Sequence, residues 1–293
     1  MKVVLFGQSG QVGEAVLRQL GEHFDWICPD RSTRQGDLLS PETIYEYLCR
    51  AKPDAIVNAA AFTAVDKAGQ FHKDAEIINA NSVLSMARAA RETGTYLLHL
   101  STDYVFDGSG TRAWKEEDRV NPINAYGKTK ALAEKWIAQQ TAEATVLRLS
   151  WLHVPGHKNF VTAICDRLKN DEVLRVVDDQ WGSPTVAADV ADVIGKFLNS
   201  YKHGKILRGI YHFANAGFCS RYQCALEILK RLQTAEVPWA FGKKIEPVKT
   251  ADYPLSEPRP LNCRLNTQKI RRELKIAPRS WQQALDATLN SYY

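Results

Sequence analysis

Residues 2–13 read KVVLFGQSGQVG, an apolar run from Lys2 to Phe6 that passes without a break into Gly7, Gly10 and Gly13. A run this apolar has no wet face, so it fits a strand covered on both sides, as parallel sheets require. The next residues, Gln11 to Leu20, put Val12, Val16 and Leu20 on one face of a helix. Strand, glycine turn and helix N-terminus in that order make a phosphate cradle. Glycines let the backbone approach a pyrophosphate closely, and the unpaired N–H groups of the first helical turn face it. Glycine turns are common; the position of this one, opening a βαβ unit, is the context that a dinucleotide site needs.

Outward from that stretch the same rhythm repeats. Short β-rich runs at Trp26 to Asp30, Ala55 to Ala60, Thr95 to Thr102 and Ala144 to Ser150 alternate with helical patterns at Pro41 to Ala51, Ala75 to Glu92 and Ala125 to Gln139. Alternation of this kind predicts an α/β fold with a doubly wound parallel Rossmann sheet. After Ser150 the rhythm loosens, with Pro155, Gly156, Gly182 and Pro184 as punctuation and a Pro-rich stretch from Pro247 to Pro260. The expected organisation is a dinucleotide-binding domain over residues 1–150, with later sheet elements near 185–214. A smaller interleaved C-terminal substrate-binding lobe is expected from 151–184 and 215–293.

With 293 residues, 45% of them hydrophobic, the chain can bury a full core, which excludes a disordered or fibrous reading. Its apolar runs fall well short of the ~20 residues that a membrane span needs. No basic-then-apolar leader opens the chain at Met1, so a cytoplasmic location is expected. The six cysteines are scattered without a CxxC pair and read as reduced thiols. The formal charge of +5 is interspersed with acids, and no aromatic series interleaves with it, so nucleic acid is not an expected partner. A modest positive excess suits an anionic small substrate.

Two further motifs carry chemistry. In Tyr126-Gly127-Lys128-Thr129-Lys130 the tyrosine and the second lysine lie one helical turn apart on one face. A phenol titrates near ~10, so a neighbouring cation is needed if it is to exchange protons near neutral pH, and Lys130 is the candidate. The run Ser101 to Gly108, STDYVFDG, ends a parallel strand at the edge that faces the ligand crevice. There the Thr102 hydroxyl can reach a carbonyl held beside Tyr126. His153 and His157 read as loop histidines, because Pro155 and Gly156 between them oppose a helix.

The glycine turn, NAAAFTAVDKA at Asn58 to Ala68, STDYVFDG, YGKTK, RLSW at Arg148 to Trp151, DQWGSPT at Asp179 to Thr185 and RPLNCRLNT at Arg259 to Thr267 together resemble the dTDP-4-dehydrorhamnose reductases, of the extended short-chain dehydrogenase type, from end to end. The resemblance implies transfer of hydride from NADPH or NADH to C4 of dTDP-4-dehydro-L-rhamnose, giving dTDP-L-rhamnose, a precursor of surface polysaccharide. It implies Tyr126 as proton donor, Lys130 as its pKa-lowering and ribose-binding partner and Thr102 as the hydroxyl that polarises the keto oxygen. Gly10, Gln11 and Val12, with Gly7 and Gly13 around them, match the pyrophosphate turn. Asp30 matches the adenosine-ribose position, Asp37 and Leu38 the adenine side, and Ala61, Phe62 and Thr63 the cofactor edge after the third strand. Val65, Asp103 and Trp151 match sugar-side contacts. Arg259 is a candidate for the substrate diphosphate on its own chemistry, since a guanidinium binds phosphate bidentately.

Some relatives dimerise through a magnesium ion held by glutamates, where this chain has Ala15 and Ala188. Alanine cannot ligate a hard cation, so no bound metal is expected, and the chain is expected as a monomer or weak homodimer. Cofactor choice rests on Asp30 and Arg31: the carboxylate favours NADH, the guanidinium the 2′-phosphate of NADPH, and together they predict use of both. Two other functions share parts of this pattern. A nucleotide-sugar epimerase or dehydratase keeps the glycine turn and the tyrosine–lysine pair, although dehydration needs a carboxyl where Tyr104 stands. A non-enzymatic subunit resembling the regulatory chain of a methionine adenosyltransferase needs no proton-transfer set, and this chain has one in Thr102, Tyr126 and Lys130.

Overall fold

A computed structural model describes residues 1–141 and 143–292. The first half comprises β1 (Lys2–Phe6), α1 (Gln11–Leu20), β2 (Asp25–Ile27), α2 (Pro41–Ala51), β3 (Ala55–Asn58), α3 (Val65–Ala68), α4 (His72–Glu76), α5 (Ser82–Thr93), β4 (Tyr96–Thr102), α6 (Ala125–Gln140) and β5 (Ala144–Leu149). Beyond it come β6 (Leu152–His153), α7 (Phe160–Asn170), β7 (Val173–Val177), β8 (Trp181–Gly182), β9 (Thr185–Val186), α8 (Ala187–Lys202), β10 (Gly209–Phe213), β11 (Cys219–Ser220), α9 (Arg221–Thr234), β12 (Lys244–Val248), α10 (Gln268–Leu274) and α11 (Trp281–Leu289).

The main sheet has six strands in the order β10-β5-β4-β3-β1-β2, all parallel. One face packs on α1 and α8, where Val12, Val16 and Leu20 meet Val190, Ile194 and Phe197. The other packs on α2, α5 and α6 through Ile44, Leu48, Val83, Met86 and Ile137. Burying such a side chain stabilises the fold by about 1.5–3 kcal/mol, which is why strands buried on both faces carry almost no polar residues. The buried exceptions are Asn58 on β3, His99, Ser101 and Thr102 on β4, Thr145 and Arg148 on β5 and His212 on β10.

The chain leaves β1 for β2 on one side and returns to β3 on the other, so a crevice opens at the carboxyl ends of β1 and β3. Beyond the sheet, α7, α9 and α11 pack with the parallel pair β7 and β12 around a separate core that includes Ile164, Leu168, Ile228 and Leu285. Pro247 lies inside β12, which is tolerated because that strand has a neighbour on one side only.

Three details differ from the sequence expectation. The helix read over Ala75 to Glu92 is interrupted by a π-helical turn, Ile77–Asn81, before α5 begins. His153 is not a loop residue: it is buried in β6, pairs with Val186 of β9 and hydrogen-bonds Thr288 Oγ1 through Nδ1 at 2.8 Å. The strand read over Trp26 to Asp30 ends at Ile27, since the backbone turns at Pro29 towards the crevice. Among the described residues no helix is long and apolar enough to cross a membrane, and none of the six cysteines is in a disulfide.

Candidate active site

The crevice is a cavity of about 620 Å³ between the glycine turn, the loops after β2 and β3, and the start of α6. Its floor is backbone. Gly7 has φ +85°, and a Cβ there would lie 2.6 Å from the Ala60 nitrogen. A Cβ on Gly13 would lie 2.0 Å from the Gly7 carbonyl oxygen, so only glycine lets α1 approach β1 so closely. Gly10, Gln11 and Val12 open the helix on the cavity wall, with no side chain capping its N-terminus. The N–H groups of that first turn thus remain for a ligand. This cradle and a volume typical of small-molecule sites fit a dinucleotide.

Arg31, Asp37 and Leu38 line the same cavity. Leu38 is held by its carbonyl, which accepts from Ser82 Oγ of α5. Asp30 is not among the lining residues. Its Oδ1 accepts from the Ser32 N–H at 2.7 Å and from Ser32 Oγ at 2.8 Å, and those bonds hold the carboxyl below its ordinary range. On the other wall, Ala61, Phe62 and Thr63 follow β3. Asn79, in the π-helical turn, accepts from the Phe62 N–H at 2.7 Å and donates to the Phe62 carbonyl at 3.1 Å and to Thr129 Oγ1 at 3.0 Å. It therefore pins this edge to α6. The sequence reading missed Asn79; a π turn inside a helix is a recurrent mark of a functional position, but no residue pattern announces it.

Tyr126 and Lys130 face the cavity from the first turns of α6. Asn124 caps that helix by accepting from the Gly127 N–H at 2.8 Å, while its Nδ2 donates to the Pro258 carbonyl at 2.9 Å. The Pro-rich segment thereby sets where Tyr126 stands. Burial pushes the phenol up to about 12, against the pull of the adjacent Thr102 hydroxyl. Burial also takes Lys130 down to about 7, against the pull of Glu134. The sequence points to Lys130 as a cation that draws the phenol down; in the structure desolvation governs both groups, and the opposing pulls come from Thr102 on the phenol and from Glu134 on the lysine. Lys130 Nζ is engaged elsewhere, donating to the Leu100 carbonyl at 2.6 Å and lying 3.0 Å from His99 Nε2. Below it, Arg148 and Glu134 form a buried pair, with Nη2 to Oε2 at 2.6 Å.

Thr102 ends β4. Its hydroxyl donates to Asp103 Oδ1 at 3.0 Å and accepts from the Tyr104 N–H at 3.2 Å, so polarising a keto oxygen requires it to turn from Asp103. Asp103 is buried, accepts at Oδ2 from Ser150 Oγ at 2.8 Å, and is pushed up by desolvation. Val65 opens α3 and lines neither this cavity nor the next.

A second cavity of about 240 Å³ is walled by Tyr104, Phe160, Ile164 and Tyr253, with Arg167, Arg175, Arg221 and Arg259 as its cations. Arg259 Nη2 pairs with Asp66 Oδ1 at 2.8 Å, while its Nη1 is buried without a partner among the described residues. An orphan guanidinium donor at a cavity calls for an anionic ligand. Trp151, at φ +42°, lies over Gly182 and carries the Arg221 guanidinium 3.6 Å from its ring centroid. Of these arginines the sequence reading singled out only Arg259, since Arg175 and Arg221 belong to no recognisable motif.

Ala15 is buried beneath α8, and among the described residues no group of three His, Cys, Asp or Glu side chains could hold a metal. His157 lines the main cavity and pairs through Nε2 with Glu14 Oε2 at 2.9 Å.

The sequence profile described as "RmlD substrate binding domain" matches residues 1–293. The dTDP-4-dehydrorhamnose reductase of Escherichia coli K12 is 36% identical over 295 aligned residues, covering 100% of this chain and 98% of that protein. The crystal structure of a dTDP-4-dehydrorhamnose reductase from Clostridium acetobutylicum superposes with a TM-score of 0.90 at 31% identity and covers 99% of each chain. That of the Bacillus anthracis reductase, in complex with NADP, superposes with a TM-score of 0.89 at 28% identity and covers 99% of this chain and 100% of that one. The chain belongs to the dTDP-4-dehydrorhamnose reductase family.

Proposed function

We propose that this protein reduces dTDP-4-dehydro-L-rhamnose to dTDP-L-rhamnose with NADPH or NADH. The observation that carries the reading is the meeting of Tyr126 and Lys130 with the glycine cradle in one 620 Å³ cleft. When bound, the nicotinamide supplies the hydride to C4; the chain's own residues bind, orient and handle the proton. Gly10, Gln11 and Val12 hold the pyrophosphate on the N-terminus of α1. Asp37 and Leu38 border the adenine, and Ala61 to Thr63 the ribose beyond it. Tyr126 gives its proton to the oxygen that becomes the product hydroxyl. Its high pKa suits an acid that keeps its proton until an alkoxide develops beside it. Thr102 turns from Asp103 to donate to the same oxygen, and Asp103 is freed to accept from a sugar hydroxyl. Trp151 walls the sugar, and Arg259, through its unpartnered Nη1, takes the diphosphate.

The test is NADPH oxidation by the purified protein with dTDP-4-dehydro-L-rhamnose, for the parent and for Tyr126→Phe. Steady consumption is expected, with turnover falling by about 10²–10⁴ in the variant and NADPH affinity staying within a few-fold. A parent that consumes no cofactor would favour a non-catalytic subunit, and protein purified already saturated with NAD would favour an epimerase. A Tyr126→Phe enzyme as fast as the parent would remove the tyrosine from the proton step.

A further inference from the structure

The glycine turn has no charged side chain between Gly7 and Gly13, and the first one after it is Glu14, in the opening turn of α1. A carboxylate there suits a helix end but repels the doubly anionic pyrophosphate of a dinucleotide. Backbone N–H groups alone would have to hold the pyrophosphate against that repulsion, unless a cation stands over the turn. The basic side chains that line the cleft are Arg31, Lys130, His157 and Lys158. Arg31 belongs to the loop after β2, with Asp37 and Leu38 at the adenine end. Lys130 stands beside Tyr126 and is committed to the Leu100 carbonyl at 2.6 Å. His157 and Lys158 remain, and neither belongs to the sheet.

Both sit on the loop between β6 and α7, and the start of α7 fixes where that loop runs. Asn159 caps α7 by accepting from the Thr162 N–H at 3.1 Å, while its Nδ2 donates to the Val154 carbonyl at 2.8 Å and to the His157 carbonyl at 2.9 Å. The helix is anchored in the lobe core through Val161, Ile164 and Leu168. From there the loop crosses to α1, where His157 Nε2 lies 2.9 Å from Glu14 Oε2. A carboxylate only accepts, so Nε2 carries a proton, and the bond holds whether the imidazole is neutral or charged. It ties the loop to the end of the cradle and gives the carboxylate a donor, which weakens its repulsion of an anion. Lys158, the next residue, is exposed, lines the cleft and has no acidic partner among the described residues. An ammonium on a flexible stem is a point charge that can follow a phosphate at an open cleft.

We propose that the His157–Lys158 loop clamps the cofactor's pyrophosphate onto the glycine turn, with Lys158 as its cation and His157 as a positioning residue that ties the loop to α1 and masks Glu14. The inference rests on the dinucleotide part of the reductase reading and not on its sugar. A bound cofactor is then held from two sides, by main chain from the sheet and by side chains from the lobe.

The test is calorimetric titration of the full chain, without substrate, by NADH, by NADPH and by ADP-ribose, which keeps the pyrophosphate and lacks the nicotinamide. Lys158→Met should weaken all three alike, by about 10-fold, while Lys158→Arg should stay within about 3-fold of the parent. His157→Ala should weaken all three by about 3-fold or more. Adding Glu14→Gln to it should restore much of that affinity, which the loss of mere packing would not allow. Parental affinity in Lys158→Met would overturn the proposal. So would a loss confined to NADPH, which places the lysine at the 2′-phosphate, or a loss that spares ADP-ribose, which places it at the nicotinamide. A His157→Ala variant that binds like the parent, or one that Glu14→Gln leaves unrepaired, would remove His157 from the clamp. Because no turnover is read, a parent that binds all three probes and reduces no sugar would count against the reductase reading alone, and one that binds none of them would overturn both.

Discussion

The two cavities are built from different materials. The larger is shaped by backbone: glycines that admit close contact, a helix end with free N–H groups, and Asn79 bonded to the main chain of Phe62. The smaller is shaped by side chains that arrive from distant segments, with Arg175 on β7, Arg221 on α9 and Arg259 in the Pro-rich stretch. A backbone site is specified by the one residue type that fits, so it leaves a motif in a continuous stretch of chain. A side-chain site is specified by convergence in space, and its members look unremarkable one by one. The first should fail sharply when a single atom is added; the second should degrade by steps.

The sharpest failure expected on the backbone side is Gly13→Ala. Its methyl would sit 2.0 Å from the Gly7 carbonyl oxygen, so α1 and the turn must separate. We expect a loss of NADPH affinity of about 100-fold or more, equivalent to about 2.7 kcal/mol, with about 1–3 kcal/mol of stability lost as well. Calorimetric titration of a folded variant measures it. Wild-type affinity would mean that the cradle is not set by this contact.

Lys130 stands between the two materials, a side chain whose properties are set by buried backbone. An unfolded lysine keeps its proton to about pH 10.4, whereas burial brings Lys130 down to about 7. Between those values the unfolded chain binds more protons than the folded one, so this group's contribution to stability rises with pH and is at its lowest below about 7. Lys130→Met removes the dependence. Urea unfolding of both proteins should show the parent gaining about 2–3 kcal/mol relative to the variant between pH 7.5 and 9.5. A gap that does not change with pH would mean that the folded protein keeps the lysine charged.

How much the sequence could tell follows the same division. The strand, turn and helix of Lys2 to Leu20 were readable because glycine spacing and apolar periodicity are local properties. Tyr126 and Lys130 were readable because one helical turn separates them. What could not be read was which partner each side chain takes. Thr102 donates a hydrogen bond to Asp103, Asp30 turns to Ser32, and Lys130 bonds His99 and Leu100. These choices depend on burial and on parallel register, as where β3 and β4 bring Asn58 beside His99. His153 was misplaced for a related reason: a two-residue strand that pairs with β9 leaves no periodicity to find.

On the side-chain cavity, Trp151→Ala should act by degrees. Trp151 does not itself line that cavity, but its indole carries the Arg221 guanidinium and its ring centroid lies 6.5 Å from that of Phe160, two residues that do, so its loss loosens the wall from behind without removing any proton-handling group. An apolar wall binds ground and transition states nearly alike, and we expect KM for the sugar nucleotide to rise about 10-fold with a smaller fall in kcat. An unchanged KM would make Trp151 a packing residue only.

The smallest effect expected concerns cofactor choice, where backbone and side chains meet in the loop after β2. Asp30 is the group that would repel a 2′-phosphate, but both bonds from Ser32 turn its carboxylate back on its own loop. Arg31 lines the cavity, and its guanidinium can stack on the adenine or pair with the phosphate. Each cofactor therefore keeps a favourable contact: the ribose hydroxyl of NADH needs Asp30 to swing out, and the phosphate of NADPH needs Arg31 to swing in. Both motions take place on exposed side chains, where solvent screening keeps the energies small. We expect both cofactors to work, with NADPH favoured by ~10-fold or less in kcat/KM, no more than ~1.4 kcal/mol. Arg31→Ala should erase that preference and leave NADH nearly unchanged. Equal loss of both cofactors would instead make Arg31 part of the common adenine wall, and the loop would then belong with the backbone cradle.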